Sequence, residues 1–198
     1  MICAILLPTR ARPDRLHATL RSVFETVVDI TAIEILLRLD DDDRSMLDRL
    51  AEFNVYPRLR IITGPRGRGY AALGDFYHEL ARATNAPWLW MMNDDAIITG
   101  RGWDEKLKSV PTTGVIVQPW LHQLGASKYY GDEGGAFPIF PNHSWAGYWD
   151  TFEDPLDTKI DDLLRKRLGW KTHFLQDIGV VHDRDNDDQL AAHRDLSA

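Results

Sequence analysis

The 198-residue sequence lacks the marks of several protein classes. It contains a single cysteine, Cys3, which excludes an intramolecular disulfide and a cysteine zinc cluster and leaves this residue as a small buried hydrophobe. The apolar run at residues 2–7 is far shorter than the ~20 residues of a membrane span, and it lacks the basic start and the cleavage site of a signal peptide. We therefore expect a cytoplasmic protein with no membrane span.

The sequence also has no excess of positive charge. Its 23 Lys and Arg residues face 30 Asp and Glu residues, which gives a formal net charge of -7 at pH 7. A protein that holds DNA or RNA through phosphate contacts needs the opposite balance, so we expect no nucleic-acid partner. The content of 44% hydrophobic and 27% charged residues is that of an ordinary globular protein, and the length fits one domain.

Short apolar runs alternate with amphipathic segments in the first half of the chain. Predicted strands cover residues 2–7, 33–39, 59–63 and 87–92. A helix is predicted to start near Pro13, and another follows the glycine-rich turn "GPRGRG". This alternation predicts an α/β domain with a largely parallel sheet. No internal repeat or linker divides residues 1–198, although periodicity fades after about residue 110 and only residues 172–184 again resemble strands.

Polar loops follow the predicted strands and should meet at one edge of the sheet, because ligands of such sheets bind beyond the carboxyl ends of the strands. These loops are "PTRAR" (8–12), "DDDD" (40–43), "GPRGRG" (64–69) and "NDD" (93–95). The doublet Asp94–Asp95 follows a buried strand, where an unpaired carboxylate costs several kcal/mol. Oxygen ligands of this kind suit Mg²⁺ or Mn²⁺, whereas the plainer interpretation is a turn.

Arginines accompany the acidic residues in these loops. The four are Arg10, Arg12, Arg66 and Arg68. Together with two carboxylates they form the charge mixture that a metal-bound diphosphate needs, although each arginine alone is typical of a solvated surface. "GPRGRG" follows the third strand and carries no phosphate-binding lysine, so the grouping rather than this turn supports the hypothesis.

Three segments together resemble a known family. "ILLPTRARPDRLHATLRSV", "ILLRLDDDD" and "PWLWMMNDDAIITGRGWDEKL" are similar to the nucleotide-sugar-binding half of GT-A-fold glycosyltransferases, especially the inverting family-two type. The resemblance implies a GT-A-like, mostly parallel sheet flanked by helices, with a small irregular acceptor-side region. Residues 1–109 would form the nucleotide-sugar-binding half and 110–198 the acceptor and catalytic half. It also implies inverting, metal-dependent transfer of a sugar, with a UDP-sugar favoured, to a hydroxyl of a glycan, lipid-linked or small-molecule acceptor.

The resemblance further implies roles for the donor-binding residues. Pro8, Thr9 and Arg10 would flank the base, and Asp40 would hydrogen-bond a uracil-type ring. From the charge grouping described above, Arg12 and Arg68 are expected to bind the diphosphate.

The "NDD" segment corresponds to the family's "Asp-x-Asp" motif. Asp95 would be the metal ligand and Asp94 would lie nearer the ribose, while Asn93 replaces the first acidic residue of the motif. His182 in "GVVHDR" would complete the shell of a Mn²⁺ or Mg²⁺ ion.

A catalytic base is expected before an amphipathic helix, and "DTKIDDLLRKRLGW" (157–170) has that form. Asp157 lies near the helix start, where the macrodipole stabilises a carboxylate, and is the first candidate. Asp154 is the second and Asp161 the third, since Asp161 is spaced for an i,i+4 pair with Arg165. Aromatic side chains before this segment could form an acceptor wall or cap the core; these are Trp145, Tyr148 and Trp149.

Two other functions stay open. Nucleotidyltransferases that make sugar nucleotides have a similar sheet, but they usually carry a glycine-rich loop after the first strand, and "PTRARPDR" has no glycine. The second alternative is a non-catalytic module that binds a nucleotide sugar. Asn93, in place of an acidic residue, is the main observation in favour of it.

Overall fold

The computed structural model describes residues 1–67, 72–124, 137–144, 164–166 and 168–183 of the chain. In this part of the chain, eight strands form one sheet in the order β3-β2-β1-β4-β7-β6-β8-β5. The strands are β1 Cys3–Thr9, β2 Ile33–Asp40, β3 Leu59–Gly64, β4 Trp88–Met91, β5 Ala96–Thr99, β6 Val115–Leu124, β7 Ile139–Pro141 and β8 Lys171–Asp183. The helices are α1 Pro13–Thr26, α2 Arg44–Leu47, α3 Leu73–Arg82 and α4 Trp103–Lys108, with short 3₁₀ turns at Ile30–Ala32 and Leu50–Val55.

The first half of the sheet is parallel and buried on both faces. β1 pairs in parallel with β2 and β4, and β2 pairs in parallel with β3. Every residue of β1 is buried, since Ile5 and Leu7 join the core beneath α1 while Ala4 and Leu6 join the core beneath α3. This is why β1 is a continuous apolar run rather than an alternating one. The predicted parallel α/β sheet is confirmed.

The second half of the sheet is mixed. β7 pairs antiparallel with β4 and β6, β6 pairs in parallel with β8, and β8 pairs antiparallel with β5. The pairing of β8 with β5 places Ala96 opposite His182, which brings the end of β8 next to the "NDD" segment. Residues 172–184, expected as one or two short strands, lie largely within the single long β8, whose register against β6 shifts between Gln118 and Trp120.

A buried polar face of α1 anchors the chain around the "NDD" segment. Thr19 Oγ1 donates to the carbonyl of Asp94 at 2.9 Å, and Ser22 Oγ accepts the N–H of Ile98 at 3.0 Å. Thr26 Oγ1 accepts the indole N–H of Trp103 at 3.2 Å. Because α1 touches the turn, β5 and α4 in this way, it fixes the segment relative to β1.

A membrane-spanning helix would have to be long and apolar, and none of the helices in the described ranges meets both conditions.

Candidate functional site

The carboxyl ends of β1, β2 and β4 meet at one edge of the sheet, as the sequence predicted. Thr9 ends β1 and donates its hydroxyl to Asp94 Oδ2 at 2.5 Å. Asp40 ends β2 and accepts from Arg10 Nη1 at 2.6 Å. Residues 93–95 form the turn between β4 and β5. The loops after three separate strands therefore contact one another directly.

A strained turn separates the two arginines of the "PTRAR" loop. Ala11 has φ 56°, in the left-handed region that residues with a Cβ adopt rarely, and its N–H donates to Asp43 Oδ2 at 2.7 Å. On one side of it, Arg10 Nη1 contacts Asp40 at 2.6 Å and Asp42 at 2.7 Å. On the other side, Arg12 faces the acidic doublet. Three of the four consecutive aspartates thus serve to shape this loop.

Arginines supply the positive charge beside the doublet Asp94–Asp95. Arg12 Nη1 lies 3.4 Å from Asp94 Oδ1 and 3.1 Å from Asp95 Oδ2. Arg15 Nη1, one helical turn later, lies 3.6 Å from Asp95 Oδ2. Both carboxylates are buried. The compensation that the sequence argument sought from a cation is therefore provided, in the protein chain itself, by guanidinium groups.

The two carboxyls of the doublet have pKa values displaced in opposite directions. Burial raises the pKa of Asp94 to about 6, and its hydrogen bond from Thr9 and the charge of Arg12 offset this only in part. Burial also acts to raise the pKa of Asp95, but contact with His182 and the charges of Arg12 and Arg15 outweigh it and lower that pKa. Asp95 is thus the more acidic of the two carboxyls.

His182 completes the surroundings of Asp95. Its Nε2 lies 3.1 Å from Asp95 Oδ1, and its ring meets Phe137 edge-on at 5.3 Å. Although the two atoms are close, Asp95 Oδ1 and His182 Nδ1 are buried atoms without a hydrogen bond of normal geometry to any described residue. Asp95 Oδ1 faces Nε2, whereas Nδ1 lies on the other side of the imidazole ring. A buried carboxylate oxygen without such a bond is costly unless something else binds it.

Asp95 Oδ1 and His182 Nε2 have the spacing of two ligands of one divalent cation. Two neighbouring ligands of an octahedral Mg²⁺, each about 2.1 Å from the ion, lie about 3.0 Å apart, close to the observed 3.1 Å. Within the described ranges, no group of three or more His, Cys, Asp or Glu side chains could hold a metal. The protein therefore offers two ligands, and phosphate oxygens and waters would have to supply the others, as is usual for Mg²⁺.

Two predicted site residues have other partners. Asn93 Oδ1 accepts from the hydroxyl of Tyr77 at 3.3 Å, and the same hydroxyl donates to the carbonyl of Met92 at 2.9 Å. Asn93 thus joins the turn to α3. Pro8 is buried within β1, where it is paired in register with Arg38.

Several predicted residues lie outside the described residues. They are Arg68, the candidate bases Asp154, Asp157 and Asp161, and the aromatic residues Trp145, Tyr148 and Trp149. Two arginines that the sequence did not single out also lie at this edge of the sheet. Arg15 could have been found, because it follows Arg12 by one helical turn. Arg38 could have been noticed as a charge inside the apolar strand "IEILLRLD".

Comparison with solved structures identifies the fold. The chain is similar to S. aureus TarS 1-349 in complex with UDP-GlcNAc, with a TM-score of 0.73, 10% identity, and coverage of 97% of this chain and 61% of that chain. It is similar to S. aureus TarS 1-349 in complex with UDP, with a TM-score of 0.70, 10% identity, and coverage of 92% and 60%. The chain thus spans about three fifths of the length of these fragments. The expected GT-A fold is confirmed.

Comparison with sequences supplies the family. The chain matches no curated protein at a significant level. Residues 4–131 match the model of glycosyl transferase family 2, and this range contains β1 from its second residue, β2 to β4 and the acidic doublet. The chain therefore belongs to glycosyl transferase family 2.

Proposed function

We propose that the protein is a glycosyltransferase that moves a sugar from a nucleotide-diphosphate donor, with a UDP-sugar favoured, to an acceptor hydroxyl with inversion. The observation that carries this proposal is the convergence of Thr9, Asp94 and Asp95 with His182 at the carboxyl edge of the sheet. Family membership and the UDP-bound solved structures of the same fold support it.

We assign the described residues to two ends of the donor site, one for the nucleobase and one for the diphosphate. At the nucleobase end, Asp40, which is buried, and Arg10, which is half-buried, form an ion pair that presents fixed hydrogen-bonding groups. At the diphosphate end, Asp95 and His182 would hold Mg²⁺ or Mn²⁺, which would supply charge stabilisation of the leaving diphosphate. Arg12 contacts both Asp94 and Asp95. Its guanidinium can also donate to phosphate oxygens, for which this group is well suited.

The transfer step needs a base for the acceptor. The acceptor O–H gives its proton to a carboxylate, its oxygen bonds to the anomeric carbon, and the bond from that carbon to the diphosphate oxygen breaks with its electron pair. Asp157 is the proposed base, followed by Asp154 and Asp161. Such a base contributes roughly 10²–10⁴-fold in rate.

The first test is a thermal-shift screen of UDP, GDP, CDP and dTDP sugars with and without Mn²⁺. A ligand that binds only the native state stabilises it, so a UDP-sugar should raise the melting temperature most. Asp95→Ala should remove the Mn²⁺-dependent part of the shift, whereas Asp157→Ala should keep the shift and abolish transfer. Loss of binding in both variants alike would contradict the separate roles.

The same preparation distinguishes the alternatives. Mn²⁺-dependent release of UDP from a UDP-sugar supports a transferase. Binding without turnover in the presence of varied acceptors would favour a binding module, and reversal by pyrophosphate would favour a nucleotidyltransferase. If no nucleotide raises the melting temperature, the donor assignment is wrong.

A further inference from the structure

An arginine lies buried inside the sheet, directly behind the nucleobase end of the proposed donor site. The side chain of Arg38, in β2, is only 3% exposed. Its Nε donates to Glu79 Oε2 of α3 at 2.7 Å, and its Nη2 donates to the carbonyl of Pro65 at 2.8 Å. Its Nη1 donates to the carbonyl of Leu39 and lies 3.5 Å from Asp40 Oδ1. One guanidinium therefore links β2, α3 and the turn after β3.

The turn after β3 is shaped to leave space for this guanidinium. A Cβ at Gly64 would lie 2.8 Å from Arg38 Nη2, closer than real Cβ atoms approach. A Cβ at Gly67 would lie 2.6 Å from the ring of Phe76, and Arg38 Cζ is 4.4 Å from the centre of the same ring. Gly64 and Gly67 thus let the turn and the Phe76 ring enclose the guanidinium, which is a structural reason for their presence.

Stability alone gives a poor reason to bury this charge. Replacing a buried ion pair by apolar residues of similar volume is often neutral or stabilising. What an arginine adds is geometry, because its planar group holds several acceptors in fixed relative positions. In this protein two of those acceptors, Asp40 at the end of β2 and the carbonyl of Pro65 just after β3, lie at the same edge of the sheet.

Asp40 is held from two sides by arginines. Arg10 contacts Oδ2 at 2.6 Å, and Arg38 is 3.5 Å from Oδ1. A carboxylate has about four lone-pair sites, so each oxygen can still accept another hydrogen bond. A carboxylate cannot donate, so it accepts the ring N–H of a uracil but has no partner in the corresponding ring nitrogen of cytosine. Asp40 can select uracil only if its free lone pairs point at the ring N–H, so the orientation of this carboxylate controls the choice of nucleobase.

We propose that Arg38 is the positioning residue of the nucleobase end of the donor site, holding Asp40 and the turn at residues 64–67 as one unit that selects uracil over cytosine. This inference rests on the proposed function. Arg38 acts through Asp40 and the turn, so its loss should weaken base selection without removing recognition of the diphosphate.

The test measures the dissociation constants of UDP and CDP by calorimetry in the presence of Mn²⁺, together with the melting temperature of each variant. Arg38→Lys keeps the positive charge but lacks the planar guanidinium that holds several acceptors at once. Gly64→Ala keeps Arg38 and presses on its guanidinium, and Gly64 does not need a left-handed backbone. Arg60→Met is the control, because Arg60 is a half-exposed arginine on the adjacent strand β3.

We expect the preference for UDP over CDP to fall at least tenfold in Arg38→Lys and Gly64→Ala and to be unchanged in Arg60→Met. A merely structural role would lower the melting temperature and leave the ratio of the two constants as it is, which would overturn the inference. If Arg38→Lys does not fold, Gly64→Ala decides by the same criterion. Equal binding of UDP and CDP by the wild type would also overturn the inference, whereas no nucleotide binding at all would refute the proposed function and this inference with it.

Discussion

Replacement of Arg12 by methionine tests how the acidic doublet is held. Arg12 lies 3.4 Å from Asp94 and 3.1 Å from Asp95, and all three side chains are at most 12% exposed. Removing one partner of a buried ion pair costs about 3–5 kcal/mol, because the other charge is left without compensation. Asp95 keeps Arg15 and His182, and Asp94 can take up a proton because burial already raises its pKa to about 6. We therefore expect the free energy of unfolding to fall by about 3 kcal/mol, the lower end of that range.

The assay is equilibrium unfolding in urea at neutral pH, first with a chelator and then with Mn²⁺. Arg21→Met is the matched control, because Arg21 is exposed on the same helix. A cation bound by Asp95 and His182 should restore stability to Arg12→Met, by about 2.7 kcal/mol at 100 times its dissociation constant. If both variants unfold at the same urea concentration, the reasoning about the doublet is refuted. If Mn²⁺ restores nothing, the cation does not bind there.

Two further predictions concern parts of the fold away from the site. Asp104 is fully buried and accepts the N–H groups of Val28 and Asp29 at 3.0 and 2.9 Å. Asp104→Asn should lower the free energy of unfolding by about 2 kcal/mol, since an amide turns a donor toward one of these groups. Glu105→Gln, at its exposed neighbour, should cost less than about 0.5 kcal/mol in the same titration, and equal losses would contradict the assignment. Burial raises the pKa of the Cys3 thiol, so a thiol reagent at pH 8 should label it only in denaturant; labelling of the native protein at the rate of free cysteine would count against a buried Cys3.

The sequence was most informative where the pattern of apolar residues is local. The four strands of the first half and the start of α1 at Pro13 follow from apolar runs and from a proline at a helix start. Leu16 and Leu20, which recur at helical spacing after Pro13, are fully buried on the inner face of α1. The grouping of Thr9 with Asp94 follows from the general rule for the edge of a parallel sheet.

The short strand β5 and the short helix α4 were not predicted. β5 has four residues and α4 has six, which is too short for a periodic pattern to be distinguished from a loop. They form because distant residues complete them. Ile98 donates to Ser22 of α1, and Asp104 of α4 accepts from the chain that follows α1. Hydrogen bonds between residues so far apart in the chain cannot be predicted from a short segment of sequence.

The acidic doublet separates what the sequence determined from what only the tertiary structure decided. The sequence by itself determined that two carboxylates end a buried strand and need positive charge, because burial of charge is costly in any fold. It did not determine which groups compensate them. That choice depends on a left-handed turn at Ala11 that directs Arg12 inward, and on the pairing of β8 with β5 that brings His182 across nearly ninety residues of chain to Asp95. The cost of burying two carboxylates can be inferred from a few neighbouring residues. The groups that compensate their charge are brought together only by the loop after β1 and by the register of the sheet.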